Sequence, residues 1–260
     1  MYNYATELLF LHSMRKSNYL EKTLSDGLMF TDHMVRFSLS EDPIHFLNML
    51  NDIEPLIEAR ASQLGIDWQM VPEAHKNAVY LGMGAVSAEM PMLCFTEVLN
   101  ERELFSHHML FGAYGIVVNQ RWLEANGGDR VVYLGENSKL TKSLHRAMVQ
   151  LRLGAMYTDN GRIFFDGMVE PTILDLFQYV QIRKNLSEFE WRIPGAHGLL
   201  GGPRSTNSHL KIEINDIELV LVQREDEIQH FEEILKKLAV KQNATRLPQV
   251  LWQPASLGNP

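Results

Sequence analysis

The 260-residue chain reads as an α+β protein, a mainly antiparallel sheet split into two halves with helices on its flanks. Three observations predict this. Strand-like runs and helical periods occur in mixed order and do not alternate as βαβα. Short β segments crowd the stretch after Pro91, bounded by glycine and proline turns. A long helical stretch at about 40–86 interrupts the early strands and reads as an insertion over the sheet.

Residues 7–12 (ELLFLH) are apolar enough for a buried first strand. Asn18 suits an N-cap, since its side chain can accept from the first free amides of a helix. That short helix runs through Leu24 and is closed by Gly27, which tolerates the left-handed backbone at a helix end. Over 42–66, Ile53, Leu56, Ile57 and Leu64 recur at helical spacing, and Gly65 can stop the run. A second helix over 72–86 opens with Pro72 in its first turn.

Strands are predicted at 92–98, 114–119 and 130–135, the last two separated by the turn signal Gly127–Gly128. A helix over 138–154 places Leu140, Leu144, Met148 and Leu151 on one face. Residues 162–166 read as either a strand or a helix lead-in, and 171–184 as a helix begun by Pro171. EFEWRIP at 188–194 alternates in polarity like a strand. Two β segments follow at 209–214 and 217–223, then a helix over about 226–240. The organisation is one domain over 1–245 with an extended or disordered tail at 246–260, which holds Pro248, Pro254 and Pro260.

Composition narrows the function classes. No run of about 18 apolar residues predicts a membrane helix, and the N-terminus lacks the cationic start and cleavage site of a signal peptide. The expectation is no membrane partner. Cys94 is the single cysteine, so an internal disulfide is impossible and a reducing, cytoplasmic setting is expected. A net charge of −8 makes a poor generic polyanion binder.

Several residues carry potential chemistry. Glu188 and Glu190 form a Glu-x-Glu pair, which on a strand is ordinarily a solvated face. A lone His12 ending an apolar strand is ordinarily structural. The group Glu97, Glu101, Glu103, His107 and His108 has spacings that suit metal ligands, yet an acidic solvated helix gives the same letters. No metal is assigned there, and His108 stays a weak site candidate. The loop GLLGGPRS lacks the lysine and spacing of a phosphate-binding loop.

Residues 91–135 resemble the signature core of the AbiGi-type abortive-infection family of bacterial phage-defence proteins. The matching features are the Pro-Met-x-Cys-Phe-Thr run, the later His108, the Tyr-Gly-Ile turn into a strand, and a glycine followed by Val-x-Tyr. Glu188-Phe189-Glu190-Trp191-Arg192 is similar to a second element of that family, and 217–238 is a weaker third match. Residues 8–28, strand then short helix then Gly-Leu, resemble the opening of ADP-ribosyltransferases, including the DarT-type toxins.

The resemblance implies an ADP-ribosyltransferase-like fold and a toxic effector that uses NAD as substrate. Its partner would be a cognate antitoxin or other defence protein, and its acceptor nucleic acid (RNA or DNA) or else a protein. Glu190 is the implied catalytic residue and Glu188 its helper. His12 and Ser13 would meet the adenosine-side ribose, and Thr96 would brace the catalytic carboxylate. Tyr114 or Phe30 would stack on nicotinamide. This scheme requires His12 and the acidic pair to face each other across one cleft. The competing class is a non-catalytic antitoxin or sensor that keeps the fold and holds a partner. A metal-dependent nuclease on the 97–108 group is a third reading.

Overall fold

The computed structural model describes residues 8–38, 43–100, 104, 111–135, 138–159, 162–165, 179–182, 189–195 and 209–252. The elements run in this order: β1 (Leu9–Met14), α1 (Ser17–Asp26), β2 (Leu28–Met29), β3 (Thr31–Ser38), α2 (Pro43–Gln63), α3 (Glu73–Gly84), β4 (Ala85–Val98), β5 (Tyr114–Asn119), α4 (Gln120–Ala125), β6 (Asp129–Arg130) and β7 (Val132–Leu134). Then follow α5 (Lys139–Gly154), β8 (Met156–Asp159), β9 (Arg162–Phe165), β10 (Val180–Ile182), β11 (Glu190–Pro194), β12 (His209–Leu210), β13 (Ile217–Val222), α6 (Ile228–Gln242) and β14 (Gln249–Trp252).

Eight strands form the central sheet, in the order β14-β13-β5-β1-β4-β11-β6, with β3 also paired to β4. All of its pairings are antiparallel except β13 with β14. With flanking helices this is the α+β class expected. Register shows where the sheet opens. Thr96 pairs with Leu11 of β1 and Glu190 of β11, so those strands lie on opposite edges of β4. Met92 pairs with Thr31 of β3 and Pro194 of β11, so β3 shares the edge that β1 uses. Between the two, the β1 register ends at Thr96 and the β3 register at Met92, leaving a break beside Leu93 to Phe95 on that edge among the described strands. The His12 ring fills the break, with Nδ1 2.9 Å from the Cys94 carbonyl oxygen.

Alternation along each strand sorts side chains to two faces. One face carries Phe10, Phe95, Ile116, Val118, Trp191, Ile193 and Val220, all buried against α1 and Phe231 and Leu235 of α6. The other gathers Leu9, Leu11, Val98, Val117, Leu219 and Leu221 around Leu104. Each fully buried large apolar side chain stabilises the fold by roughly 1.5–3 kcal/mol. The paired ends Ser38 and Ala85 close a β3–β4 ribbon, and α2 and α3 lie within that connection. Their apolar residues, with Trp68 of the 3₁₀ turn between them, build a second core, Ile53, Ile57, Trp68 and Tyr80 packed on Val149, Leu153, Met156 and Ile163. Arg60 donates to the carbonyls of Leu153 and Met156, so a cation meets the C-terminal end of α5.

Several sequence expectations shift. β1 continues two residues past His12, because Ser13 and Met14 keep pairing with β5. Asn18 is not the cap: α1 begins at Ser17 after Lys16, without a side-chain cap bond. Gly27 does close α1, at φ 102°, and a Cβ there would meet the Leu210 carbonyl oxygen. Between β5 and the Gly127–Gly128 turn lies α4, capped by Asn119, whose side chain accepts from the Trp122 amide. Residues 180–182, expected helical, are the strand β10 because they pair with β7. The segment 209–214 forms only the two-residue β12 before a 3₁₀ turn at Ile214–Asp216. In the tail, 249–252 is β14, ordered by parallel pairing with β13 and by the Arg246 guanidinium on the buried Glu218 carboxylate.

Candidate active site

β11 shows how the sequence builds the site. Trp191 and Ile193 point into the first core, where Trp191 stands 4.9 Å edge-on from Phe10 and its indole N–H donates to Glu97 at 3.1 Å. Period two then turns Glu190 and Arg192 to the other face. There the Arg192 guanidinium forks onto the Glu190 carboxylate, Nε to Oε1 at 2.8 Å and Nη2 to Oε2 at 3.1 Å. The Tyr133 hydroxyl donates to Oε2 at 2.6 Å. Arg192 Nη2 also donates to Gln181 Oε1 at 2.6 Å. Both charged side chains are nearly enclosed, 14 % and 8 % exposed for Glu190 and Arg192.

Burial by itself would push the Glu190 carboxyl up. The hydrogen bond and charge of Arg192, then the Tyr133 hydroxyl and the Cys94 thiol, outweigh it and hold the carboxyl below its usual range. Glu190 is therefore ionised at neutral pH. Burial, then the charge of Glu190, push the Cys94 thiol up to about 12. Cys94 is thus a neutral, weak hydrogen-bond donor and no nucleophile at neutral pH.

The structure divides the residues singled out from sequence into two groups. Thr96 is the cross-strand partner of Glu190, and Leu11 the partner of Thr96 beyond it. Ser13, two residues after Leu11, returns to that same face. Ser13, Thr96, Glu190 and Arg192 therefore share one side of the sheet. His12, Tyr114 and Phe30 belong to the other. The His12 ring lies 5.3 Å from that of Phe95, a first-core residue. Tyr114 is buried in the same core, its hydroxyl donating to Glu227 at 2.9 Å. Phe30 packs against that core between β2 and β3. The expected meeting of His12 with the acidic residues across one cleft does not occur: one strand position of parity separates them.

Glu188 and His108 lie outside the described residues, as do Glu101, Glu103 and His107. Glu97 is buried and bound by the Trp191 indole. Among the described residues no group of three His, Cys, Asp or Glu side chains is placed to hold a metal.

Sequence reasoning missed Arg192, Tyr133 and Gln181. Arg192 was within reach, because it sits at i+2 from Glu190 in an alternating strand. Tyr133 appeared only as the tyrosine of the Val-x-Tyr element and Gln181 gave no local signal, since the β6–β11 pairing carries Tyr133 to β11 and the β7–β10 pairing adds Gln181. No helix among the described residues is long and apolar enough to cross a membrane. No known family model matches this chain, and neither a curated protein nor a solved structure is detectably similar to it.

Proposed function

We propose that the chain is an NAD-dependent ADP-ribosyltransferase, the toxic effector of an anti-phage or toxin–antitoxin system, with Glu190 as its catalytic carboxylate. One observation carries the reading. Glu190 stays ionised while nearly enclosed on a sheet face that also carries the hydroxyls of Ser13 and Thr96. The transfer breaks the bond between ribose C1′ and nicotinamide, through an oxocarbenium-like transition state. Nicotinamide leaves neutral with the bonding pair, so no general acid is required. An anionic carboxylate accepting from the ribose 2′-OH stabilises the positive charge that develops. The acceptor then bonds to C1′ and gives up its proton. The hydroxyls of Ser13 and Thr96 suit contacts with ribose. His12, Tyr114 and Phe30 lie on the other face and are assigned to the core, so the cleft required of the sequence scheme does not form, and the ribose contacts pass from His12 to Ser13 and Thr96.

A second reading has its own support. A carboxylate offers about four acceptor sites. Two are taken by Arg192, one by Tyr133, and the Cys94 thiol approaches as a further donor. A carboxylate so fully satisfied suits a structural keystone in a non-catalytic antitoxin or sensor. Under the transferase reading the thiol, the weakest donor, yields to the substrate hydroxyl.

Expression and labelling distinguish the two. Growth arrest that Glu190→Gln abolishes, with label passing from NAD to a component of cell extract only for the wild type, supports the transferase. Equal labelling by both proteins, or by neither, counts against it. A chain that is harmless alone and neutralises a toxin supports the second reading.

A further inference from the structure

The Glu190–Arg192 pair is met at both ends by the short β7–β10 ladder, whose β7 begins two residues after the end of β6, the central-sheet strand paired with β11. β7 and β10 form a two-stranded parallel sheet apart from the central one, and Tyr133 and Gln181 are direct register partners in it. Partners on adjacent strands stand about 4.8 Å apart and project to the same side. Glu190 and Arg192 are two residues apart on β11, a separation of about 6.6 Å along the strand. Two neighbours on one sheet thus reach two neighbours on another.

Polarity matches at each contact. A phenol O–H, a donor, meets the carboxylate. Arginine offers only donors, so the amide of Gln181 presents its oxygen to the guanidinium. The bonds are also unequally shared. Oε2 of Glu190 takes both the Tyr133 hydroxyl and Arg192 Nη2, the nitrogen that Gln181 holds. Oε1 takes Arg192 Nε.

We propose that Tyr133 and Gln181 are positioning residues that anchor Oε2 of Glu190, Tyr133 directly and Gln181 through Arg192, and so present Oε1 to the ribose hydroxyl. The role rests on Glu190 being the reacting carboxylate, but the anchoring itself does not require any activity. A carboxylate free to rotate would spend much of its time away from the productive geometry, and small misplacements cost large factors in rate. Among the described residues, the groups facing Glu190 are Arg192 on its own strand, Tyr133 on β7, and Cys94 and Thr96 on β4.

The test uses the full chain, with the Glu190 side-chain carboxyl followed by carbon NMR and identified by its absence in Glu190→Gln. Tyr133→Phe removes one hydroxyl and is expected to move the Glu190 titration to higher pH. Gln181→Leu is expected to move it the same way by less, and serves alone if Tyr133→Phe does not fold. In nicotinamide release from NAD, both variants are expected to lower kcat with KM unchanged. The loss for Tyr133→Phe is about tenfold, the worth of one hydrogen bond. A lower melting temperature with an unmoved Glu190 titration would overturn the proposal. A wild type that releases no nicotinamide would remove the transferase reading, while the titration still decides whether the clamp exists.

Discussion

The two faces of the central sheet are built from the same strands and do opposite things. On the Trp191 face, polar atoms are tied off inside a continuous apolar core: the indole N–H on Glu97, the Tyr114 hydroxyl on Glu227, the His12 ring on the Cys94 carbonyl. On the Glu190 face, the apolar patch around Leu11 and Leu219 gives way along β4 and β11 to Thr96, Cys94, Glu190 and Arg192. A step of one residue along any strand moves a side chain between these regimes. Parity, more than proximity in sequence, decides which residues can act together.

Breaking the apolar face is expected to cost most. Trp191→Ala removes a ring packed on Phe10 and leaves Glu97 without its indole donor, a loss of about 4 kcal/mol in denaturant unfolding. Arg192→Met, on the other face, strands an enclosed carboxylate and is expected to cost about 3 kcal/mol. Replacing both members, Glu190→Leu with Arg192→Met, should recover most of that stability while abolishing any chemistry. If it does not, the pair supports the fold more than the site.

Acid sharpens the contrast. The Glu190 carboxyl titrates lower folded than unfolded, where about 4.3 is usual. Its contribution is fully present above that unfolded value and is lost as pH falls through the lower folded one. Urea unfolding from about pH 6 downward should therefore show a loss of stability that is shallower in Glu190→Gln. A slope that does not change would separate Glu190 from the acid sensitivity of the fold.

Neighbouring residues of β1 separate the two faces most finely. Ser13→Ala is expected to raise KM for NAD about tenfold, the worth of one hydrogen bond. His12→Ala should cost about 1 kcal/mol of stability through its lost bond to the Cys94 carbonyl, with KM unmoved. The reverse outcome would move the binding surface to the Trp191 face. At the small end, Lys236→Ala removes an exposed i,i+4 pair with Glu232 and should change stability by less than about 0.5 kcal/mol.

What could be read from sequence follows the range of the forces involved. Local patterns were enough for α1, α2, α3, α5 and α6, and for the strand character of β1, β5, β11 and β13, since each is set by its own periodicity and glycines. β10 and β14 could not be read, because both depend on pairing with a distant strand. The site divides the same way. Glu190 and Thr96 were singled out through the family resemblance, and they are register partners across β4 and β11. His12 also stood out, but its side of the sheet depends on the register of β1 with β4 and β5, which no local pattern states.

Under the transferase proposal, chemistry happens on the Glu190 face. The most direct measurement is nicotinamide release from NAD by the purified full chain, wild type against Glu190→Gln, with folding checked by circular dichroism. The expected result is release by the wild type and a fall of at least about 100-fold in the variant, the scale on which one electrostatic stabiliser of a transition state acts. Equal release by both folded proteins would contradict the claim.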